Sequence, residues 1–184
     1  AGDSIILTKG IALEGTSILA REAPVSLLNS GVGQRTIDSA MDLLFSPGIS
    51  VIKEASIACR EVDVHAMHDP TEGGIATGLL EMAFAAELGL VVDSEKIMIF
   101  PECRIFCEHL GLDPLGLIAS GALLAAVKPE DSKILIRALS REGIPAAEIG
   151  HFTARSEGIK LSTPDGLCDL PHYPRDEIAR YLAG

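Results

Sequence analysis

The residues whose types and spacing could do chemistry lie in one short segment, residues 67–74, which read MHDPTEGG. The segment joins a predicted strand to a long predicted helix, and α/β proteins place their ligands at such junctions. Asp69, the proline after it and Glu72 have the form of a capping box in which Asp69 is the N-cap. Gly73 and Gly74 then fall in the first helical turn, where each glycine costs about 1 kcal/mol relative to alanine.

The two glycines admit two explanations. An anionic ligand such as a phosphate could approach the helix N-terminus closely, because free backbone N–H groups there favour negative charge. Alternatively, the helix is simply well capped and its glycines make room for a neighbouring backbone. The spacing matches neither a P-loop nor a dinucleotide-binding fingerprint. Under the ligand hypothesis, the ligand- or phosphate-binding residues of the segment are His68, Asp69, Thr71, Gly73 and Gly74.

Other polar side chains near the segment have two possible roles each. Lys9 follows the first predicted strand in a glycine-containing loop, where it could either meet the phosphate or be solvated. His65 lies on the polar side of its strand, where it could be either a hydrogen-bonded structural histidine or a ligand. His65, His68 and Asp69 could be grouped as metal ligands, but their spacing across a strand end does not fix a coordination geometry. No metal site is therefore predicted.

The four cysteines are predicted to be free thiols of a cytoplasmic protein, because no secretory leader precedes them and an even count alone is weak evidence for disulfides. Cys103 and Cys107 are one helical turn apart, so both could face a metal. The nearby His109 lies on a different face of that helix, which argues against a metal there.

Charge and hydropathy limit the partners of the chain. Its formal net charge is −11 without any run of Lys or Arg, so neither a nucleic acid nor an acidic membrane surface is expected to bind it. The longest uncharged stretch, residues 114–127, is shorter than the roughly 20 residues that a membrane-spanning helix needs. The mean hydropathy of +0.31 is high. Such a chain is either tightly packed or carries an apolar face that another domain covers.

The periodicity of apolar residues predicts interleaved strands and helices in a single domain, residues 1–184. The predicted strands are residues 4–8, 62–67, 90–92, 97–99, 122–127, 148–153 and 158–162. The predicted helices are residues 14–22, 37–44, 70–88, 101–110, 114–118, 129–141 and 174–182, and one that opens at Ser46 and Pro47; residues 23–34 are predicted to be irregular. The fold class expected from this order is α+β with α/β layers, in which helices flank a mixed β-sheet.

The pattern His-Asp-Pro-Thr-x-Gly-Gly between a strand and a helix resembles the signature of the C-terminal domain of AIR (aminoimidazole-ribonucleotide) synthetase (PurM)-like proteins. It is most similar to the hydrogenase expression/formation branch, the maturation carbamoyl dehydratases. Three other segments resemble that domain in order and spacing: residues 2–8, residues 112–124 and residues 144–161. The resemblance therefore covers nearly the whole chain.

The resemblance implies that this chain is the domain that closes over phosphates and substrate with its glycine loop, in an ATP-dependent enzyme that activates an oxygen through a phosphorylated intermediate. An N-terminal domain, absent from this chain, supplies most of the ATP site and the dimer interface. The implied cofactors are ATP and Mg²⁺ in the intact protein, with none held tightly by this half alone. The implied partners are that N-terminal domain, a small-molecule substrate and a second subunit of a homodimer. Residues 1–184 alone are expected to show no turnover.

The chain departs from the maturation branch at several positions. Glu72 stands where that branch usually has Arg, and Glu14 stands within a segment that is usually Asp-His-Gly. Ala119, Ser120 and Gly121 replace an Asn-Glu-Gly triplet, and no terminal cysteine is present to receive a carbamoyl group. These departures argue against the cyanide-forming chemistry of that branch without excluding a maturation-like function, and they leave the substrate unassigned. The competing hypothesis is a noncatalytic binding or scaffold module that retains the fold.

Overall fold

A seven-stranded mixed sheet organises the computed structural model, which describes residues 1–183. Its order is β2-β4-β1-β5-β3-β6-β7, and neighbouring strands are antiparallel except for the parallel pair β3 and β6. The strands are β1 Ser4–Thr8, β2 Val64–His68, β3 Gly89–Asp93, β4 Leu124–Val127, β5 Ala146–Thr153, β6 Ile159–Thr163 and β7 Gly166–Asp169.

Helices cover the sheet on both faces. Five of them contribute to a large apolar cluster on one face: α1 Leu13–Glu22, α2 Pro24–Asn29, α3 Gln34–Asp42, α5 Gly74–Ala86 and α6 Pro101–Leu110. On the other face, α4 Ile52–Glu61 and α7 Pro129–Arg141 pack over a smaller cluster. A short helix, α8 Glu177–Leu182, follows near the end of the chain. No helix of residues 1–183 has the length and apolar character needed to cross a membrane.

Strand β1 lies at the centre of this arrangement, and all five of its residues are buried. Ile5 and Leu7 belong to the large cluster, whereas Ile6 belongs to the smaller one. This alternation follows from the two-residue period of a strand. A strand that is covered on both faces needs apolar side chains on both, which explains the run of isoleucine and leucine in the middle of β1.

The predicted fold class is confirmed, since helices flank a mixed sheet on both faces. Several element predictions are wrong. Residues 24–29 form α2 although the segment was expected to be irregular, because a proline at its first helical position suits a helix start. Ser46 has extended backbone angles, so the helix expected to open there begins only at Ile52.

One predicted strand is absent, one observed strand was not predicted, and the expected burial of β2 is wrong. Residues 97–99 form only an isolated bridge between Ile99 and Ile11, and β7 was not predicted because all four of its residues are exposed and show no apolar alternation. Residues 62–67 were expected to be a half-buried strand. The observed β2 is the last strand on its side of the sheet, and its three central residues are exposed.

A buried ion pair connects the end of β1 to the chain that enters α4. The Lys9 ammonium donates to the backbone oxygens of Gly48 at 3.0 Å and Ser50 at 2.8 Å, and lies 2.9 Å from Glu54 Oε1. Both side chains of the pair are only 4% exposed. These three partners use all three donors of the ammonium, so Lys9 is neither solvated nor directed at a ligand.

Replacing Lys9 by methionine should therefore destabilise the fold strongly, because the Glu54 carboxylate would remain buried without its partner. We expect a loss of about 3–5 kcal/mol in the free energy of unfolding, measured by urea denaturation. Lys53→Met is the matched control, since Lys53 pairs with Glu142 on the surface, with side chains 58% and 48% exposed. The control should leave the denaturation midpoint nearly unchanged. A Lys9→Met protein as stable as the control would show that the buried pair is unimportant.

Candidate functional site

Three loops meet at one end of the sheet. Strands β1 and β2 both run antiparallel to β4, so their carboxyl ends lie beside the start of β4. Leu7 is opposite Leu124, which is in turn opposite His68. The loop after β1, the glycine loop (residues 69–73) after β2 and the segment before β4 are therefore neighbours.

Both glycines of the segment adopt left-handed backbone angles. Gly73 has φ +76° and Gly74 has φ +68°, and α5 begins at Gly74 with Gly73 in the N-cap position. The predicted capping box of Asp69 and Glu72 is wrong, since no side chain caps this helix. The reason is a tight turn in which the Gly74 N–H donates to the Thr71 carbonyl at 3.1 Å, which delays the start of the helix beyond the reach of Asp69.

The glycines are required by the packing of this chain against itself. A Cβ at Gly74 would clash with the backbone of Leu115 and Gly116, and a Cβ at Gly73 would clash with the Thr77 side chain. Of the two explanations for the glycines, close approach of a neighbouring backbone is the one that the structure displays at Gly74.

The Gly73 N–H donates to a carboxylate of the same chain. Its acceptor is Asp176 Oδ2 at 2.7 Å, while Asp176 Oδ1 accepts from the Ile178 N–H at 2.8 Å and so caps α8. Asp176 is only 8% exposed. An internal carboxylate therefore occupies the position expected for an external anion. The predicted binding of a phosphate by Gly73 and Gly74 stays a prediction, and it requires this carboxylate to move away.

The segment that carries Asp176 is a strap (residues 170–182) across the loop region. The Tyr173 ring packs on Gly116, and its hydroxyl donates to Asp113 Oδ2 at 2.5 Å. Burial, together with the Asp113 carboxylate, raises the pKa of Tyr173.

A second contact of the strap runs through Glu177. Glu177 Oε2 accepts from the Asp113 N–H at 3.0 Å and from the Arg180 guanidinium at 2.7 Å. The hydrogen bond from Arg180 holds the pKa of Glu177 below its usual range. Arg180 also donates to the Gly111 carbonyl at 2.8 Å, so the strap is attached to residues 111–113 at several points.

The glycine loop still presents three polar side chains. Asp69, Thr71 and Glu72 are exposed, and no hydrogen bond within residues 1–183 engages their side chains. The carbonyl of Thr71 is held in place by the N–H groups of Gly74 and Ala119, each at 3.1 Å. The loop, whose backbone is hydrogen-bonded at the Thr71 carbonyl, thus displays two carboxylates and a hydroxyl, which could bind a cation or a hydroxyl-rich ligand.

His68 connects the end of β2 to α5. Its Nε2 lies 2.6 Å from Glu81 Oε2, whereas its Nδ1 is buried and has no partner among the described residues. In residues 1–183 no three His, Cys, Asp or Glu side chains are grouped as a metal site. The sulfurs of Cys103 and Cys107 lie 4.0 Å apart in the core, and all four cysteines are free thiols.

Sequence reasoning selected the glycine loop and Lys9 as candidates but missed Asp113, Tyr173 and Asp176 as contacts of the loop region. Asp176 is 103 residues from Gly73 in sequence. The Asp-Pro dipeptide at Asp113 is the only local signal in this set, because it is typical of a turn.

Comparison with known proteins identifies the family. Residues 1–161 match the family model described as "AIR synthase related protein, C-terminal domain". The chain is 31% identical over 175 residues to a putative hydrogenase expression/formation protein of Methanocaldococcus jannaschii, an alignment that covers 92% of this chain and 48% of the relative. It is 28% identical over 177 residues to the carbamoyl dehydratase HypE of Escherichia coli, covering 94% and 48% of the two chains.

Solved structures agree with these relatives. The crystal structure of E. coli HypE superimposes with a TM-score of 0.74 at 26% identity, covering 97% of this chain and 53% of that one. A hydrogenase maturation protein HypE in complex with ATP shares the fold, with a TM-score of 0.69 at 23% identity, covering 97% and 52%. The chain spans about half the length of the relatives that it matches.

The glycine packing predicts a position-specific loss of stability. Gly74→Ala should cost about 1–2 kcal/mol for the left-handed backbone, and roughly 1–3 kcal/mol more for the overpacking against Leu115. Gly143→Ala is the matched control, because Gly143 has φ +74° but no atom within 4 Å of the position that an added Cβ would take. Urea denaturation of both variants measures the difference. Equal losses would show that the contact with Leu115 does not constrain Gly74.

The lowered pKa of Glu177 predicts that the strap loosens in acid. Because the folded pKa lies below the unfolded value, the stabilisation is complete above the usual Glu pKa of about 4.3 and is lost as the pH falls through the lowered value. The protection factor of the Gly73 amide, which is the ratio of the intrinsic to the observed hydrogen-exchange rate at the same pH, should therefore be smaller below the lowered pKa than at pH 7 in wild type. Glu177→Gln should remove much of this pH dependence, whereas Glu108→Gln, an exposed site on α6, should retain it. An identical pH response in all three proteins would contradict the assignment to Glu177.

Proposed function

The chain belongs to the AIR synthase related protein family as its C-terminal domain, and we propose that it is the closing half of a two-domain, ATP-dependent enzyme. The family match over residues 1–161 supports the superfamily, and it confirms the predicted resemblance. The observation that carries the proposal is the glycine loop, which displays the exposed side chains of Asp69, Thr71 and Glu72 without hydrogen-bond partners in residues 1–183. In the proposed enzyme this loop closes over the substrate and phosphates in a cleft between the two halves.

We propose ATP and Mg²⁺ as the cofactors of the intact protein. Support for ATP comes from the HypE protein that was solved in complex with ATP and shares this fold. Most of the nucleotide site would belong to the half that lies outside residues 1–184.

Two carboxylates of this chain suit the metal ion. Mg²⁺ prefers carboxylate oxygens and substrate phosphates as ligands. Asp69 and Glu72 offer such oxygens on an exposed loop. A carboxylate next to a phosphate repels it unless a cation lies between them, so the acid in place of the usual arginine at position 72 favours a metal-bridged contact. When bound, Mg²⁺ would neutralise phosphate charge.

The remaining residues of the loop would bind and exclude water rather than transfer protons. The Thr71 hydroxyl is available to hydrogen-bond a substrate or phosphate oxygen, and its carbonyl is already fixed by two N–H groups. His68 is paired with Glu81 and would position the loop through the end of β2. Lys9 would act only through the fold, because its ammonium is fully engaged.

The partners proposed for the intact protein are an N-terminal ATP-binding half, a small-molecule substrate and a second subunit of a homodimer. The half-length coverage of the relatives supports the first of these. A cytoplasmic location is proposed as well, on the ground that all four cysteines are free thiols.

One observation favours a second candidate, the noncatalytic binding or scaffold module. The Asp176 carboxylate already occupies the Gly73 N–H, which is the group best suited to an incoming anion. A domain that fills its own anion position could retain the fold after losing the chemistry. The two candidates differ in whether Asp69 and Glu72 affect nucleotide turnover.

An ATPase assay with Mg²⁺ tests the enzyme proposal on the intact protein, with the preceding half restored from the same gene. The double variant Asp69→Asn, Glu72→Gln should lower ATP turnover by about 10- to 100-fold, the effect typical of groups that orient a metal. Its Mg²⁺ requirement should also rise. Glu108→Gln on α6 is the control. It removes one negative charge, as each of the two substitutions does, and it should keep wild-type turnover.

Residues 1–184 alone should show no measurable turnover. Robust ATPase activity from this half would overturn the two-domain proposal. An intact protein that neither binds nor hydrolyses ATP, but still binds a partner protein, would support the scaffold candidate instead.

A further inference from the structure

Residues 43–52 form an uncharged segment that exposes apolar side chains. The segment reads LLFSPGISVI, ten consecutive residues without a charged side chain in a protein whose net charge is −11. Phe45 and Ile52 are each 75% exposed, and Ile49 is 37% exposed. Several exposed apolar side chains within one short segment are unusual on a surface that faces only water.

The uncharged segment is held in a fixed shape by the core of the domain. The Lys9 ammonium donates to the carbonyls of Gly48 at 3.0 Å and Ser50 at 2.8 Å, which lie on either side of Ile49. The same ammonium pairs with Glu54 of α4, and both side chains of that pair are 4% exposed. The exposure of Ile49 is therefore built into the fold. A surface that is already fixed loses little conformational entropy when it is covered.

The uncharged segment adjoins the glycine loop. A Cβ at Gly121 would lie 3.2 Å from the Ile49 Cα, so the segment packs on the turn that precedes β4. In the same turn, the Ala119 N–H donates to the Thr71 carbonyl at 3.1 Å. Phe84, which is 70% exposed, lies elsewhere, because it is ten residues beyond the start of α5 and thus about 15 Å along the helix axis.

We propose that the uncharged segment is the surface against which the N-terminal, ATP-binding half of the intact protein packs. Phe45, Ile49 and Ile52 are buried there by an apolar patch of that half. The proposal rests on the proposed function for the identity of this partner, which the half-length coverage of the relatives supports. Because the segment lies beside the glycine loop, the contact would set the distance between the two halves and exclude water from one side of the cleft.

The small size of the segment favours a covalently linked partner over a separate one. A stable interface between free proteins takes about 20–30 residues a side, whereas the uncharged segment has ten residues. A half joined in the same polypeptide is present at a high effective concentration, so that a small apolar contact is sufficient to dock it. A second copy of this chain would bring another net charge of −11 toward the surface, which is unfavourable.

Hydroxyl-radical labelling, read by mass spectrometry, tests the proposal on the 184-residue chain and on the intact protein with the preceding half restored from the same gene. Phe45 and Phe84 should be labelled to similar extents in the 184-residue chain, because they are 75% and 70% exposed. In the intact protein, labelling of Phe45 should fall about tenfold, since side chains in the core of an interface are nearly fully buried. Labelling of Phe84 should stay the same.

Substitution at the same positions measures what the contact contributes to stability. The double variant Phe45→Ser, Ile52→Ser should change the Tm of the 184-residue chain by less than about 2 °C, because both side chains are already exposed. It should lower the Tm of the intact protein by about 5 °C. The matched control is Phe84→Ser, Leu167→Ser, at sites 70% and 63% exposed outside the segment. The control should have only the small effect in both proteins.

Equal labelling of Phe45 in the two proteins, or an equal response of the intact protein to the two double variants, would overturn the proposal. An intact protein without ATPase activity that still protects Phe45 would retain the contact and remove the enzyme proposal, whereas an active protein with Phe45 labelled as before would do the reverse. Sedimentation covers the other occupant. A dimer of the 184-residue chain that Phe45→Ser, Ile52→Ser converts to a monomer would assign the segment to a second copy and overturn the proposal.

Discussion

Contact between the Gly74 backbone and the turn at Pro114–Gly116 holds the start of α5 against the loop that leads into β4. No side chain can occupy that space, so the position requires glycine and fixes a left-handed turn before the helix. This left-handed turn directs the Thr71 carbonyl toward the Gly74 and Ala119 amides. The shape of the whole loop region depends on this one close approach.

The same contact determines what the glycine loop can offer to a ligand. Two backbone N–H groups at the start of α5 are already engaged, Gly73 by Asp176 and Gly74 by the Thr71 carbonyl. The side chains of Asp69, Thr71 and Glu72 are exposed. Direct capture of a phosphate by the Gly73 and Gly74 amides would therefore require both hydrogen bonds to break. The strap strengthens this arrangement, because Tyr173 and Asp176 pack on the two segments that Gly74 brings together.

Exposed polar and apolar groups are found on two different parts of the domain. The loop end of the sheet displays uncommitted carboxylates, while the edge at β2 displays free backbone groups beside an apolar helix. These are two separate surfaces on different sides of His68.

The sequence by itself determined the family, the fold class and the strand–glycine loop–helix unit, because each of these depends on local order and spacing. β1 was recognisable from its apolar run, and the unit at residues 67–74 from its signature. The prediction of where α5 begins was wrong, because a backbone contact with Leu115 overrides the capping pattern of Asp69 and Glu72. Only the tertiary structure decided which polar groups remain available. The pairing of Lys9 with Glu54, of Gly73 with Asp176 and of His68 with Glu81 joins residues far apart along the chain, and no local pattern specifies such partners.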